Sequence, residues 1–209
     1  SNRLPLFDLS SLITSSYFSF IDTLIMTFRC HKCIFIEPTA GLMDLDNHLV
    51  SFINLHYLSL HEYPSDYHDR LLAFQHMGQK HPFCSFVLTS IDSLINEIFT
   101  IKGAGTYCRY FLIHHYPSPF NHNQSNLCRE IIEQSFQKVL NPDYQLSADS
   151  VLFIHDEGDG CAVMEPLNDD LYYLDKFAVV PLAQGNGLGK SLWCRILAIY
   201  PSIMWRSST

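Results

Sequence analysis

Charged side chains are scarce in this 209-residue chain. They make up 16% of it, and the basic ones are the rarer sign, with 13 Lys and Arg against 21 Asp and Glu. The formal net charge of −8 argues against nucleic-acid binding, because neutralising phosphates requires clustered cations. Long apolar runs are lacking too. The uncharged stretch from Leu9 to Ile21 is rich in Ser and Thr and too short to span a membrane, so we expect no membrane partner.

Repeated cysteine spacing is also absent. Seven cysteines, an odd number without a pattern, favour a reducing compartment over a disulfide framework. The single CxxC, Cys30 to Cys33, runs into the apolar segment Cys33–Ile36, so we favour a buried strand over a zinc site. The histidines between His56 and His81 lack metal-ligand spacing. We expect ordinary surface side chains there and no bound metal.

Strand-like and helix-like patterns alternate along the chain, and hydrophobic residues make up 47% of it, which predicts a folded α/β protein. A run of Pro, Asn, Gln and Ser from His114 to Asn126 predicts a linker between two domains. The predicted strands are Cys33–Ile36, Leu49–Leu55, Phe86–Thr89, Val151–His155, Cys161–Glu165, Tyr172–Val180 and Ile203–Arg206. The predicted helices follow Ser90, span Leu127–Leu140 and span Leu188–Ile199, and the segment Leu58–Lys80 is predicted as loop and surface helix.

A glycine-rich loop is the sharpest local signal. Three of the nine glycines lie in Gln184–Gly189, after a predicted strand and at the start of a predicted helix. Glycines let the backbone approach a ligand closely, and the free N–H groups of a helix start attract anions. An acidic protein can therefore still hold a phosphate here; the alternative is a flexible surface turn.

Three kinds of phosphate loop compete for this segment. The dinucleotide pattern GxGxxG fails because Lys190 takes the place of the third glycine. The pattern GxxxxGK[ST] fits Gly189 to Ser191 but would need a glycine where Gln184 stands. The acetyl-CoA diphosphate loop, Gln or Arg followed by x-x-Gly-x-Gly or Ala, is matched by Gln184, Gly187 and Gly189.

With Tyr173–Val179, Leu192-Trp193 and Trp205–Ser207, this loop closely resembles the acetyltransferase domain of the N-acetylglutamate synthase family, in its vertebrate-like, fungal and bifunctional synthase/kinase members. Upstream, Ser135–Lys138 and Cys161–Pro166 resemble the opening helix and central hairpin strand of that domain. Ile34–Asp44, Ile53–Leu55 and Asn96–Thr106 resemble the later part of an amino acid kinase domain.

The resemblance implies three segments: an amino acid kinase-like domain (C-terminal half) over 1–112, a linker over 113–125, and a truncated GNAT domain, a mixed sheet flanked by helices, over 126–209. Compared with members of this family, the chain is expected to be incomplete at both ends. Because the first half of the kinase domain is not in the sequence, we expect no kinase activity. The acetyltransferase is expected to move acetyl from acetyl-CoA to the α-amine of L-glutamate, for arginine biosynthesis or as urea-cycle activator supply. The alternative is a weakly catalytic or regulatory subunit that binds acetyl-CoA or arginine without turnover.

The resemblance also implies roles for particular residues. Tyr173 is expected near the reacting amine, with Lys138 and Arg206 on the carboxylates of glutamate. Cofactor contacts are expected from Phe177, Ala178, Val179, Gln184, Gly185, Asn186, Gly187, Leu188 and Gly189. An allosteric arginine site is expected at Glu97, Gly103 and Gly105, the alternative being a solvated Glu before a glycine helix cap.

Further expectations concern assembly and compartment. The resemblance implies a homo-oligomer formed through the kinase-like domain. Family members work in the mitochondrial matrix or the bacterial cytoplasm. The Ser, Tyr and Cys usage and the linker favour the mitochondrial matrix, with the bacterial cytoplasm as the alternative.

Overall fold

The computed structural model of the chain describes residues 6–8, 14–99 and 103–206. The chain divides between Tyr110 and Phe111 into two compact units, called here unit 1 (residues 1–110) and unit 2 (residues 111–209). No helix in the described part of the chain is long and apolar enough to cross a membrane.

Unit 1 contains a four-stranded mixed sheet. Its strands lie in the order β1-β3-β4-β2, with β1 parallel to β3, β3 antiparallel to β4 and β4 parallel to β2. The elements are α1 (Thr14–Phe28), β1 (Lys32–Glu37), β2 (Phe52–Asn54), α2 (His68–Lys80), β3 (Ser85–Ser90), α3 (Leu94–Phe99) and β4 (Thr106–Arg109).

The core of unit 1 forms where α2 packs on this sheet. Leu71, Phe74 and Met77 recur at helical spacing on α2 and are buried. The ring of Phe74 stacks on Phe86 of β3, with centroids 4.8 Å apart, and lies 4.9 Å from the ring of Phe35 on β1. Every residue of β3 is buried, as expected for a strand with a neighbour on each side.

Unit 2 contains a five-stranded sheet in chain order, β5-β6-β7-β8-β9. The first four strands are antiparallel to one another, and β9 joins β8 in parallel after a helical crossover. The elements are β5 (Ile113–Pro117), α4 (His122–Phe136), β6 (Val151–His155), β7 (Gly160–Pro166), β8 (Tyr172–Val179), α5 (Leu188–Ile199) and β9 (Ile203–Trp205).

Both long helices of unit 2 bury one apolar stripe. On α5 the buried residues Leu188, Leu192 and Ile196 are four apart, and on α4 Cys128, Ile131 and Ile132 are buried. Most of the inner strands β6 and β7 is buried as well. Mixed sheets flanked by helices confirm the predicted α/β fold class.

Several sequence-based expectations were wrong in position. The predicted linker 113–125 contains strand β5 and the first turn of α4, because the main chain of Ile113–Pro117 pairs with β6 although the segment ends in a proline. Helix α4 begins five residues before Leu127, since Asn121 caps it. Helix α3 begins at Leu94 rather than directly after Ser90. The sequence analysis missed helix α1 and strand β4.

One histidine also departs from the expectation of a surface residue. His81 is buried, and its Nε2 lies 2.8 Å from Oδ1 of Asp22 on α1. The same carboxylate contacts Nζ of Lys80, and its pKa is lowered by these two partners although burial opposes the shift. This contact ties the end of α2 to α1.

The start of α4 depends on a capping box. The Asn121 side chain accepts from N–H of Gln124, and the Gln124 side chain accepts from N–H of Asn121, both at 2.9 Å. Replacing Asn121 by Ala should lower the free energy of unfolding by about 1 kcal/mol. Urea denaturation measures this, with the exposed helical substitution Gln134→Ala as control. An unchanged midpoint for Asn121→Ala would contradict the assigned cap.

Candidate acyl-transfer cleft

Strands β8 and β9 pair in parallel. Among the described residues the pairing joins Tyr172 to Ile203, Tyr173 to Met204 and Leu174 to Trp205. Beyond it, β8 continues to Val179, and within the described residues of unit 2 no strand pairs with this further half on the β9 side. We call this edge of Asp175–Val179 the open edge of β8. It leaves backbone polar groups available to a ligand.

The alternation of hydrogen bonding along β8 shows which residues turn their backbone N–H and C=O groups toward the open edge. Val180 N–H donates to Asp159 O at 2.9 Å, which extends the register that pairs Ala178 with Cys161. Alternate residues of an antiparallel strand turn their backbone groups to opposite sides. The backbone groups of Phe177 and Val179 therefore point away from β7, toward the open edge. Of the three predicted strand contacts, Ala178 faces β7 instead.

The loop after β8 is anchored to the end of this edge. The carbonyl of Val179 accepts hydrogen bonds from Nε2 of Gln184 and from Oγ of Ser135 on α4, both at 3.0 Å. The side chain of Gln184, the first residue of the loop, therefore fixes the loop to the end of β8. Ser135 ties the last turn of α4 to the same peptide.

Two glycines give the loop its shape. Gly185 and Gly187 have φ values of 80° and 89°, in the left-handed region that favours glycine. Gly187 is the N-cap residue of α5, and Oδ1 of Asn186 accepts from N–H of Leu188 at 3.1 Å. The first turn of a helix carries backbone N–H groups without intrahelical acceptors and about half a positive charge. A helix start of this kind favours negative charge.

The first turn of α5 lies against the open edge. A Cβ built on Gly189 would lie 3.8 Å from Phe177 and 3.9 Å from Val179, which is ordinary van der Waals contact. Helix α5 also supplies Trp193, whose ring packs edge-on against Phe177 and Trp205, with centroids 6.3 and 5.5 Å away. The rings of Phe177, Trp193 and Trp205 thus pack together between α5 and the strands β8 and β9. Trp205 remains half exposed.

Polar side chains cluster at Asp175, where the open edge of β8 begins. We call the space beside the open edge the cleft, this end of it the apex, and the side chains of Tyr144, Asp175 and Lys176 the apex cluster. The hydroxyl of Tyr144 donates to Oδ2 of Asp175 at 2.9 Å, and Nζ of Lys176 lies 2.8 Å from both carboxylate oxygens. Burial, and then the bond to Asp175, raise the pKa of Tyr144 well above its ordinary value. Tyr144 therefore stays protonated as a donor.

Comparison with known proteins shows what unit 2 is similar to. Residues 115–209 match the family described as NAT, the N-acetyltransferase of N-acetylglutamate synthase. The match covers nearly the whole of unit 2. The match lies within unit 2 and includes the loop, the open edge and the apex cluster.

Individual relatives extend the likeness over most of the chain. Acetylglutamate kinase of Xylella fastidiosa is 30% identical over 192 residues, which cover 89% of this chain and 46% of the relative. The mitochondrial N-acetylglutamate synthase of Danio rerio is 30% identical over 195 residues, covering 88% and 37%. The chain thus spans less than half the length of these relatives.

Among solved structures, N-acetylglutamate synthase from Neisseria gonorrhoeae in complex with coenzyme A and N-acetyl-glutamate aligns with a TM-score of 0.48. The identity is 16%, and the alignment covers 88% of this chain and 46% of that one.

The three predicted acceptor-site residues lie on separate elements of the acetyltransferase unit. Tyr173 is half-buried on β8, between its register partners Glu165 and Met204. Arg206 is exposed and directly follows Trp205, the partner of Leu174, so its backbone lies level with the start of the open edge. Lys138 is exposed, two residues beyond the end of α4.

The three predicted arginine-site residues lie in unit 1, and two of them meet. Glu97 is 3% exposed; its Oε1 accepts from Nζ of Lys32 at 2.8 Å and its Oε2 from N–H of Ala104 at 3.0 Å. A Cβ on Gly103 would lie 2.3 Å from Oε2 of Glu97. Gly105 packs against a different group, the backbone carbonyl of Leu88. A side chain at position 105 would collide with that carbonyl oxygen. No local pattern indicates that Lys32 pairs with Glu97, 65 residues away.

One group of possible metal ligands occurs among the described residues. Ligand atoms of His155, Glu157 and Asp159 lie within 4.8 Å of one another at the β6–β7 turn, where Glu157 is exposed. Their proximity follows from the tight turn, in which Gly158 has a φ of 77°.

The apex cluster was missed by the sequence analysis. Asp175 and Lys176 lie inside the motif Tyr173–Val179, but their spacing assigns them no role. Tyr144 lies 31 residues before its partner Asp175. A contact at that separation depends on the path of the chain after α4, which no local pattern reveals.

Proposed function

We propose that unit 2 transfers the acetyl group of acetyl-CoA to the α-amine of L-glutamate. The observation that carries the proposal is the juxtaposition of the open edge of β8 with the anion-attracting loop Gln184–Gly189. A ligand with a diphosphate at one end and an extended amide arm at the other fits this arrangement. Coenzyme A has both features, and the family match supports the same ligand.

The cofactor's two parts have separate binding groups. The diphosphate would lie against backbone N–H groups at the start of α5, where the helix dipole favours negative charge. The amide arm would pair with backbone groups of Phe177 and with the N–H of Val179, as an added strand pairs with a sheet edge; the carbonyl of Val179 is already bonded to Ser135 and Gln184. The thioester then lies further along β8, toward Asp175 and the cleft apex.

The acceptor would be held by cations. Glutamate carries two carboxylates, and an Arg side chain pairs with a carboxylate in a bidentate manner while Lys acts as a point charge. We assign these roles to Arg206, which follows β9, and to Lys138, which follows α4; both are exposed. The arrangement distinguishes an acidic amino acid from one with a neutral side chain.

The chemistry is direct transfer. The α-amine is mostly protonated near neutral pH and must lose a proton before it attacks the thioester carbonyl. Tyr173, acting through water, is the proposed relay: it takes up that proton while it passes its own hydroxyl proton on to solvent. The attack forms a tetrahedral intermediate whose oxyanion is stabilised by backbone N–H groups near the irregularity of β8. Expulsion of the coenzyme A thiolate, which then takes up a proton, completes the transfer without using a cysteine of the chain.

The loop is tested by two glycine substitutions. Gly187→Val should abolish coenzyme A binding in calorimetry, because a β-branched residue opposes the φ of 89° and a side chain there obstructs the anion. Gly189→Ala is the matched control, because its added Cβ makes only ordinary contacts, and it should retain binding. Unchanged affinity in Gly187→Val would remove the loop from the proposed site.

The acceptor is tested by glutamate-dependent release of coenzyme A. Lys138→Ala should raise KM for L-glutamate at least about 10-fold, since a charge-assisted contact contributes on the order of 1.5–3 kcal/mol, and leave KM for acetyl-CoA unchanged. Lys138→Arg, which keeps the charge, should restore most of the loss. An effect confined to acetyl-CoA would contradict the role. Binding of acetyl-CoA without any glutamate-dependent release would favour a ligand-binding subunit instead.

We further propose that L-arginine binds unit 1 through Glu97, beside Gly103 and Gly105. Solved relatives include a Neisseria gonorrhoeae synthase complexed with coenzyme A and L-arginine. Here the carboxylate of Glu97 is already paired with Lys32. A guanidinium must therefore displace an internal ammonium, which lowers its affinity.

Substitutions of the two partners should shift arginine affinity in opposite directions. Lys32→Met should tighten L-arginine binding in calorimetry, because it removes the competing cation, and Glu97→Gln should weaken it. L-citrulline, which lacks the charge, is the matched ligand control and should not bind. Equal affinities in wild type and both variants would contradict the proposed site.

Assembly and compartment complete the proposal. We propose self-association through unit 1, where Ile95 and Phe99 on α3 are 69% and 81% exposed; light scattering on the purified chain tests it.

The relatives include bacterial proteins and synthases described as mitochondrial. Of the mitochondrial matrix and the bacterial cytoplasm we propose the matrix, testable by fractionation of the source cells.

A further inference from the structure

Strand β8 contains one residue more than its neighbour. In the β7–β8 register Met164 faces Leu174 and Val163 faces Lys176, so Asp175 has no counterpart. An extra residue of this kind bends the strand and re-aims its side chains. Because β9, among the described residues, pairs with β8 as far as Leu174, the bulge lies where the open edge begins.

The side chains at the bulge form a closed group. Asp175 accepts from Tyr144 and from Lys176, and Nζ of Lys176 also lies 4.9 Å from the centre of the Tyr144 ring. The Asp175 and Lys176 side chains are only 20% and 24% exposed. Charges that are this shielded are held more firmly than ion pairs at an open surface.

Tyr144 connects this group to α4. Its carbonyl accepts a hydrogen bond of 2.7 Å from Nη2 of Arg129, which lies on α4. The same helix reaches β8 a second time, where Ser135 donates to the carbonyl of Val179. Helix α4 is therefore tied to both ends of the open edge, directly at Val179 and through Tyr144 at Asp175. The two points are about 13 Å apart along the strand, from a rise of roughly 3.3 Å per residue.

We propose that Tyr144 and Asp175 are positioning residues for acetyl transfer, which fix the bulge where the thioester and the amine meet without contacting either. This inference rests on the proposed function. A misplacement of about 1 Å at the reacting atoms can lower the rate about 100-fold. The diphosphate loop lies at the other end of the open edge, so loosening the bulge should slow transfer while leaving cofactor affinity intact.

The test uses two conservative variants of the full chain. Tyr144→Phe removes only the hydroxyl, and Asp175→Asn keeps the shape but loses the charge. Tyr116→Phe is the matched control, because Tyr116 lies on β5, which is separated from β8 by the strands β6 and β7. For each protein we would measure kcat, KM for acetyl-CoA, the melting temperature and hydrogen–deuterium exchange of the peptide covering 172–177.

The expected result is a kcat lowered at least about 10-fold in both bulge variants, in line with the cost of misaligned reactants. KM for acetyl-CoA should be unchanged, exchange should be faster in 172–177 alone, and Tyr116→Phe should match wild type. Unchanged kcat in Tyr144→Phe would overturn the inference. So would parallel losses of kcat, cofactor affinity and melting temperature, because they would show a general structural role.

Failure of the proposed function is distinguishable from failure of this inference. A wild-type chain that transfers no acetyl to glutamate would contradict the function. Exchange would then still report on the bulge. Faster exchange confined to 172–177 in Tyr144→Phe would support a network that fixes this strand, and unchanged exchange there would overturn it.

Discussion

The bulge in strand β8 is the constraint on which the cleft depends. Among the described residues three pairs join β8 to β9, and the extra residue Asp175 then turns β8 onto its own course. Backbone groups of Phe177 and Val179 are left facing outward, and Val179 is held by side chains from α4 and from the loop. Unpaired strand edges usually favour aggregation, and here the edge lies beside a helix N-terminus that suits an anion.

The parts predicted from sequence are those fixed by local geometry. Gln184–Gly189 is recognisable because left-handed φ values at Gly185 and Gly187 require glycine, and the bounds of α5 follow from its apolar spacing and from Pro201. The hairpin of β6 and β7 is likewise indicated by apolar runs that flank a polar turn. Strand β5 was not predicted, because Pro117 and Pro119 are typical of a loop. Its strand conformation becomes evident only from its pairing with β6.

Contacts between distant residues could not be predicted. The sequence offers no reason for Tyr144 to meet Asp175, or for Lys32 to meet Glu97, because these pairs are 31 and 65 residues apart. In both places a carboxylate already has an internal partner. We propose that the partners of Asp175 hold the strand in place and that the partner of Glu97 competes with L-arginine. The same kind of contact would then position a strand in one unit and weaken ligand binding in the other.

A crystal structure of the chain with coenzyme A would test the central claim most directly. The account predicts the diphosphate against the backbone of residues 184–189 and the amide arm alongside Phe177 and Val179, with the thiol directed toward Asp175. Coenzyme A bound elsewhere, with the loop and the open edge of β8 unoccupied, would contradict it.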